Sequence, residues 1–356
     1  MDALATPHGE LALPAFLPDA TRGVVRAVDA ADLEAVGVPG LVVCAYHLMQ
    51  RPGAQAVAAL GGLHALMGWR RPIVVDSGGF QVFSLIRQNP RLGSITDKQA
   101  VFRAAEGRKK QRLSPEKSIR TQFAVGADIL VCLDDCTHPD DPPGEQAASV
   151  DRTVRWARRC RDEFDRVLAE RGLGEAGRPL LFAVVQGGRD LDLRRRCAEA
   201  LIEMGFEGYA FGGWPFDREG RLLREVLART AELLPDEKPK YALGIGNPDA
   251  LVACARMGYS LFDCSLPTRD ARRGRLYLFP GPGLDYRRLY IRDARYHRDP
   301  EPVAEGCTCP CCRAASRAYL HHLFAIADPL ALRLATAHNL RFYATLMERL
   351  RRGAPG

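Results

Sequence analysis

The chain has 356 residues, of which 47% are hydrophobic and 26% charged, enough apolar material for one large core or two average ones. No apolar run approaches the roughly 18 to 20 residues of a membrane span, and the start, MDALATPHGE, has neither a basic segment nor an apolar signal core, so a cytoplasmic protein with no membrane contact is expected. The eleven cysteines are odd in number and seven are scattered singly, several within apolar stretches, which suits core residues in a reducing compartment better than a disulfide framework. The net charge of +7, carried largely by arginine, favours a polyanionic partner.

In chain order, "ATPHGELALP" (5–14) reads as an antiparallel hairpin. Eight short apolar or β-branched runs follow, each ending in a polar or glycine-rich turn: 15–20, 41–46, 73–79, 129–135, 180–188, 209–213, 241–246 and 261–265. Segments of helical period lie between them, among them 115–126, 150–172, 191–205, 219–235 and 248–258. Strands alternating with helices imply a parallel sheet, and eight repeats over about 250 residues predict a closed (β/α)8 barrel. The expected organisation is a catalytic barrel over 1–283, with the leading hairpin and an insertion at about 88–113. Residues 284–356 are expected to form a metal-binding subdomain and closing helices.

Barrel active sites lie at the C-terminal ends of the strands. There the chain places Asp76, Asp134 with Asp135, Gln186, Gly212 with Gly213, Gly244 with Gly246, and Asp263. Two carboxylates facing one substrate can divide the work, one attacking as nucleophile and one giving and taking a proton, as in retaining glycosyl transfer. Any one strand-end Asp could instead cap the following helix. For Asp76, followed by Ser77, Gly78 and Gly79, a ligand contact is the better reading, since glycines let the backbone approach closely.

Cys307, Cys309 and Cys312 of "CTCPCC" can supply three thiolates to a tetrahedral structural zinc, one ion per subunit. The fourth ligand is open among Cys311, His297, His321, His322 and His338. A histidine on the helix 334–350 is preferred, because ligands at adjacent positions strain the chain.

Several long segments carry a resemblance: "YHLMQRPG" (46–53), "DSGGFQVFSL" (76–85), "LSPEKSI" (113–119), "FDCSLPTR" (262–269), and the cysteine cluster followed by "SRAYLHHL" and His338. In these the chain resembles the tRNA-guanine transglycosylases, the queuine tRNA-ribosyltransferase family, over nearly its whole length. The resemblance implies a zinc-bearing (β/α)8 barrel, usually a homodimer. Such an enzyme replaces guanine at the wobble position of a tRNA with a GUN anticodon by a 7-deazaguanine, preQ1 or queuine. It makes Asp263 the nucleophile, Asp76 the general acid/base and His338 the fourth zinc ligand. By the same resemblance Asp134 reads the N1 and 2-amino edge of the base, and Gln186 and the Gly213 amide its O6 side. Phe80 and Leu243 become the flanking walls, and Arg269, Arg272 and Arg273 hold the neighbouring anticodon nucleotides.

The chain departs from the family pattern at three places. "GGWPFDREG" (212–220) stands where bacterial members usually read Gly-Gly-Leu-Ala-Val-Gly-Glu, Cys44 replaces an asparagine, and "DARRG" (270–274) adds Asp270 and Arg273 beside the expected RNA path. The departures leave two alternative functions: a relative that inserts deazaguanines into DNA, and a non-catalytic tRNA-binding subunit. The second should have lost the nucleophile or the acid/base, and both are present.

Overall fold

A computed structural model describes residues 1–105, 107–138, 141–175 and 177–354. The hairpin β1 (Ala3–Thr6) and β2 (Gly9–Ala12) precedes the first barrel strands β3 (Ala15–Pro18), β4 (Leu41–Cys44) and β5 (Ile73–Asp76). The insertion is a three-stranded antiparallel sheet of β6 (Gly93–Ile95), β7 (Ala100–Phe102) and β8 (Gln111–Leu113). The barrel resumes with β9 (Ile129–Val131), β10 (Leu180–Val185), β11 (Gly208–Phe211), β12 (Lys240–Ala242) and β13 (Leu261–Cys264). A second hairpin, β14 (Arg275–Leu278) with β15 (Arg287–Tyr290), then leads to the C-terminal helices.

The eight barrel strands form one parallel sheet in chain order, β13 pairing back onto β3. Between β3 and β4 the ring is completed by the parallel bridge Asp19 to Val42 and the bond from Ala20 N–H to the Val42 carbonyl, 2.7 Å. The (β/α)8 expectation therefore holds. Side chains of alternate residues fill the barrel, including Leu17, Val42, Val74, Phe182 and Tyr241. Leu4 and Leu11 of the leading hairpin join this cluster and plug its lower end.

A cluster the sequence reading did not find fastens that plug. Asp128, just ahead of β9, is fully buried, and its carboxylate accepts from His8 N–H (3.0 Å), His8 Nδ1 (2.7 Å) and Ile73 N–H (2.8 Å). His64 Nε2 lies 3.2 Å from the same carboxylate, and the two imidazoles stack 3.5 Å apart. The groups sit at the lower rim of the barrel, opposite the strand ends that carry the expected site.

Two helix boundaries move. The helix expected over 150–172 begins at Pro143, where proline at the first helical position needs no donor. The helix expected over 219–235 is shortened to Arg224–Leu233, because residues 215–223 form a small tongue instead. There Phe216 bridges Leu222, Asp217 binds Arg221, and Leu223 N–H donates to the Pro215 carbonyl at 2.9 Å.

The last helix, Pro329–Arg351, packs on β3, β14 and the helix Leu266–Arg272, tying the C-terminus to the first barrel strand. Its Arg333 forms a two-pronged pair with Asp32 at 2.8 and 2.9 Å.

Candidate active site

The upper strand ends surround a cavity of about 370 Å³ lined by Asp19, Cys44, Asp76, Phe80, Asp134, Gly213, Trp214, Tyr241, Leu243 and Asp263, among others. Three of its carboxylates, Asp76, Asp134 and Asp263, stand at the ends of different strands, where the register of the parallel sheet turns them inward.

Asp263 is anchored through Oδ1, which accepts from the Tyr241 hydroxyl at 2.8 Å and from Gly244 N–H at 2.9 Å. Burial pushes its pKa up to about 6 and the Asp76 charge adds to that, while the two hydrogen bonds oppose it. Burial also raises the Asp76 carboxyl, against bonds from the Cys44 thiol, the Gly78 and Ser77 amides and Gln81. Cys44 and Asp76 face each other across β4 and β5, so the family's asparagine is replaced by a thiol that touches the acid/base candidate. Gly78 has φ +85°, and a Cβ there would stand 2.7 Å from that of Tyr46, so the turn that presents Asp76 requires glycine.

Asp134 is pushed up to about 7, first by burial and then by the charges of Asp76 and Asp135, with a bond from Gln186 opposing. That bond, Gln186 Nε2 to Asp134 Oδ2, is 2.6 Å long, and Gln186 Oε1 is buried with no partner. Asp135 points the other way and pairs with Arg152, so the two adjacent carboxylates have separate surroundings. Gly213 takes φ +92°, beside Gln186. Phe80 is 42% exposed, and its ring meets Trp214 edge-on at 5.7 Å, with the His138 ring 5.3 Å from Trp214. Leu243 lines the cavity on the strand β12 side. Of the base-contact residues expected from the sequence, Asp134, Gly213, Phe80 and Leu243 border one cavity, and Gln186 stands behind Asp134, bonded to it but outside the lining.

Arg269, on the helix after β13, and Arg273, just past its end, are exposed, while Arg272 is half-buried with Nη1 unpartnered. Burial pulls the Arg272 pKa down, as do Arg26, Arg269 and Arg273, with Asp19 opposing. Arg26 thus joins a cationic cluster at the cavity mouth, and neither it nor Asp19 stood out in the sequence. Asp270, expected near the RNA path, is instead 3% exposed and bonded to the Tyr277 hydroxyl and to Arg275. It faces inward because its place on the short helix turns it toward β14.

The metal-ligand expectation resolves to one histidine. His338 Nδ1 lies 3.9, 3.6 and 3.3 Å from the sulfurs of Cys307, Cys309 and Cys312, and the four ligand atoms fall within 4.8 Å of one another. His338 Nε2 donates to the Tyr277 carbonyl at 2.7 Å, which leaves Nδ1 free for a metal. Cys311 is turned into the core. Three thiols and an oriented imidazole fit a closed tetrahedral ion. Among the described residues no helix is long and apolar enough to cross a membrane.

Comparison with known proteins agrees with this geometry. A family profile described as "Queuine tRNA-ribosyltransferase" matches residues 1–353. A queuine tRNA-ribosyltransferase of Novosphingobium aromaticivorans is 41% identical over 98% of this chain and 89% of its own length. The one from Solidesulfovibrio magneticus is 41% identical over 98% and 88% of the two chains. That of Zymomonas mobilis is 39% identical over 97% and 85%.

Proposed function

The chain belongs to the queuine tRNA-ribosyltransferase family and is a pentosyltransferase. On that premise we propose that it exchanges guanine at the wobble position of a GUN anticodon for a 7-deazaguanine, through a covalent ester between Asp263 and the ribose. The observation that carries the reading is the convergence of Asp76, Asp134 and Asp263 in one cavity behind Phe80.

In the first half-reaction an Asp263 oxygen attacks C1′ of the wobble ribose. The C1′–N9 bond breaks, its electron pair leaves with guanine, and Asp76 supplies the proton the departing base takes up. In the second, the Asp76 carboxylate takes the N9 proton of the incoming base, N9 attacks C1′, and Asp263 is released. The Tyr241 hydroxyl and Gly244 amide hold the nucleophile's second oxygen geometry fixed through both steps. Burial raises the Asp76 pKa, the direction that favours a carboxyl group as proton donor.

The base slides between Phe80 and Leu243. Asp134 accepts from its N1–H and 2-amino group, which frees Gln186 Nε2 to turn, with the Gly213 amide, to the 6-oxo oxygen. Arg269, Arg272 and Arg273, together with Arg26, hold the phosphates on either side. Cys307, Cys309, Cys312 and His338 would hold one structural zinc, which would order the C-terminal segment. By family resemblance the enzyme is a cytoplasmic homodimer.

A 9-deazaguanine trap with an anticodon stem-loop tests the chemistry. Wild-type protein should give a shifted band on a denaturing gel and Asp263→Asn none; absence of a band from both would overturn the nucleophile assignment. Competition among guanine, preQ1 and queuine, with duplex DNA as a parallel acceptor, tests the substrate. Exchange into DNA alone would overturn the tRNA reading.

A further inference from the structure

Arg194 lies in the first turn of the helix Leu191–Met204 and is 1% exposed. The titratable groups that bear on its guanidinium are Tyr259, Cys197 and Cys136, all kept neutral by burial, and no carboxylate is among them. All three of its donor nitrogens go to main-chain carbonyls. Nε reaches Gly188 at 3.0 Å, Nη1 reaches Val185 at 2.8 Å, and Nη2 reaches Gly212 at 2.9 Å. The Phe211 ring lies beneath it, 4.0 Å from the centroid. Burial pulls the pKa down to about 10, so the group remains a cation at neutral pH.

A buried cation without a counter-charge is costly, and capping three carbonyls does not by itself call for one. Its position suggests what the charge is for. The Gly212 carbonyl shares a peptide unit with the Gly213 N–H, and a Cβ on Gly213 would lie only 3.6 Å from Arg194 Nη2. A cation hydrogen-bonded to a peptide oxygen draws electron density from that peptide's nitrogen and strengthens its N–H as a donor. The charged fork also ties the ends of β10 and β11 together, which sets the relative places of Gln186 and Gly213.

We propose that Arg194 is a positioning residue for base exchange, holding the Gly212–Gly213 peptide against the 6-oxo edge of the purine and polarising its N–H toward the leaving base. The inference rests on the reading of Gly213 as the 6-oxo donor. When the C1′–N9 bond breaks and Asp263 bonds to C1′, the electron pair left on the purine is shared between N9 and O6. The polarised amide stabilises the O6 share until the proton arrives from Asp76.

The test compares guanine with 6-thioguanine, which keeps the N1–H and 2-amino group and alters only the 6-position, as competitors for labelled guanine incorporation into tRNA. Wild-type enzyme should favour guanine by about tenfold. In Arg194→Met the preference should shrink to within about threefold and kcat should fall at least about tenfold, with the KM for tRNA little changed. Arg194→Lys, which retains the charge without the fork, should recover part of both. If Arg194→Met does not fold, Arg194→Lys carries the test, with a kcat and preference between those of wild type and of an enzyme lacking the interaction. Wild-type kcat and wild-type preference in a folded variant would overturn the proposal. Failure of wild-type protein to exchange guanine at all would instead remove the transglycosylase reading on which it rests. In glycine-labelled wild-type enzyme the Gly213 amide proton should move downfield on saturation with guanine. An unmoved resonance in an active enzyme would remove Gly213, and Arg194 with it, while leaving the overall reaction standing.

Discussion

The Asp76 charge raises the pKa of both Asp134 and Asp263, so the pH response belongs to the cluster as well as to each member. Asp263 must be ionised to attack, and its pKa stands at about 6; Asp134 must be ionised to accept from the base, and its pKa stands at about 7. The acid limb of kcat/KM for the base should therefore fall between pH 7 and 6, with base affinity failing before kcat. A profile flat down to pH 5 would contradict this assignment. The same shift bears on stability with the opposite sign from an ion-paired carboxylate. For Asp134 the folded value exceeds the ordinary value near 3.9, so the native state loses stability as pH rises from about 4 through about 7. Asp134→Asn should accordingly raise Tm by a few degrees at pH 8, with the gain vanishing near pH 4, while impairing base binding. Thermal melts of both proteins at the two pH values decide it. The charged residues at strand ends were legible in the sequence because a carboxylate closing an apolar run is conspicuous. Tyr241 was not, since an aromatic inside an apolar strand reads as core. Asp19, Arg26 and Arg194 were also missed: each acts through neighbours distant in the chain, and only closure of the barrel brings them together.

At the level of elements, parallel strands buried on both faces read as continuous apolar runs, which is why all eight were legible. The tongue 215–223 was hidden because "DREGRLLREVL" carries helical period across a segment that local side-chain bonds hold as a turn. That tongue fixes Trp214 over the cavity, next to the residue proposed to meet the 6-oxo group. On a purine the 6-oxo group and position 7 share an edge, so Trp214 should border the 7-substituent. Trp214→Leu should raise the ratio of queuine to preQ1 use by about fivefold or more, by opening the wall; each extra methylene's worth of contact changes such ratios by one to two orders of magnitude at most. An unchanged ratio would place the substituent elsewhere. The Cys3His site was legible as three cysteines from spacing alone, whereas the choice of His338 needed the helix Pro329–Arg351 docked against β14. Cys309→Ala should bring metal content measured by mass spectrometry from one zinc per chain to well below it and lower Tm by several degrees, because metal binding and folding of such a site are coupled.

The whole molecule divides its work between the two ends of the barrel. The upper end carries buried carboxylates that are costly to ionise, and the lower end carries a buried carboxylate satisfied on every side. Asp128 connects the leading hairpin through His8, the helix carrying His64 and the start of β5. These groups are separated by up to 120 residues in the chain, so no local pattern announced them. Asp128→Ala would leave the Ile73 and His8 amides without an acceptor and loosen the plug that brings Leu4 and Leu11 into the barrel. Each unsatisfied buried donor costs about 1–3 kcal/mol, so a loss of roughly 3 kcal/mol is expected, enough to lower Tm by several degrees. Because conservation of function in this fold depends on the upper loops and stability on the lower rim, kcat of the folded variant should stay within about twofold of wild type. Urea denaturation and initial rates, both taken well below either Tm, separate the two effects. A variant of unchanged stability would show that the hairpin is held by its apolar contacts alone, and a large fall in kcat would show that the two ends of the barrel are mechanically coupled.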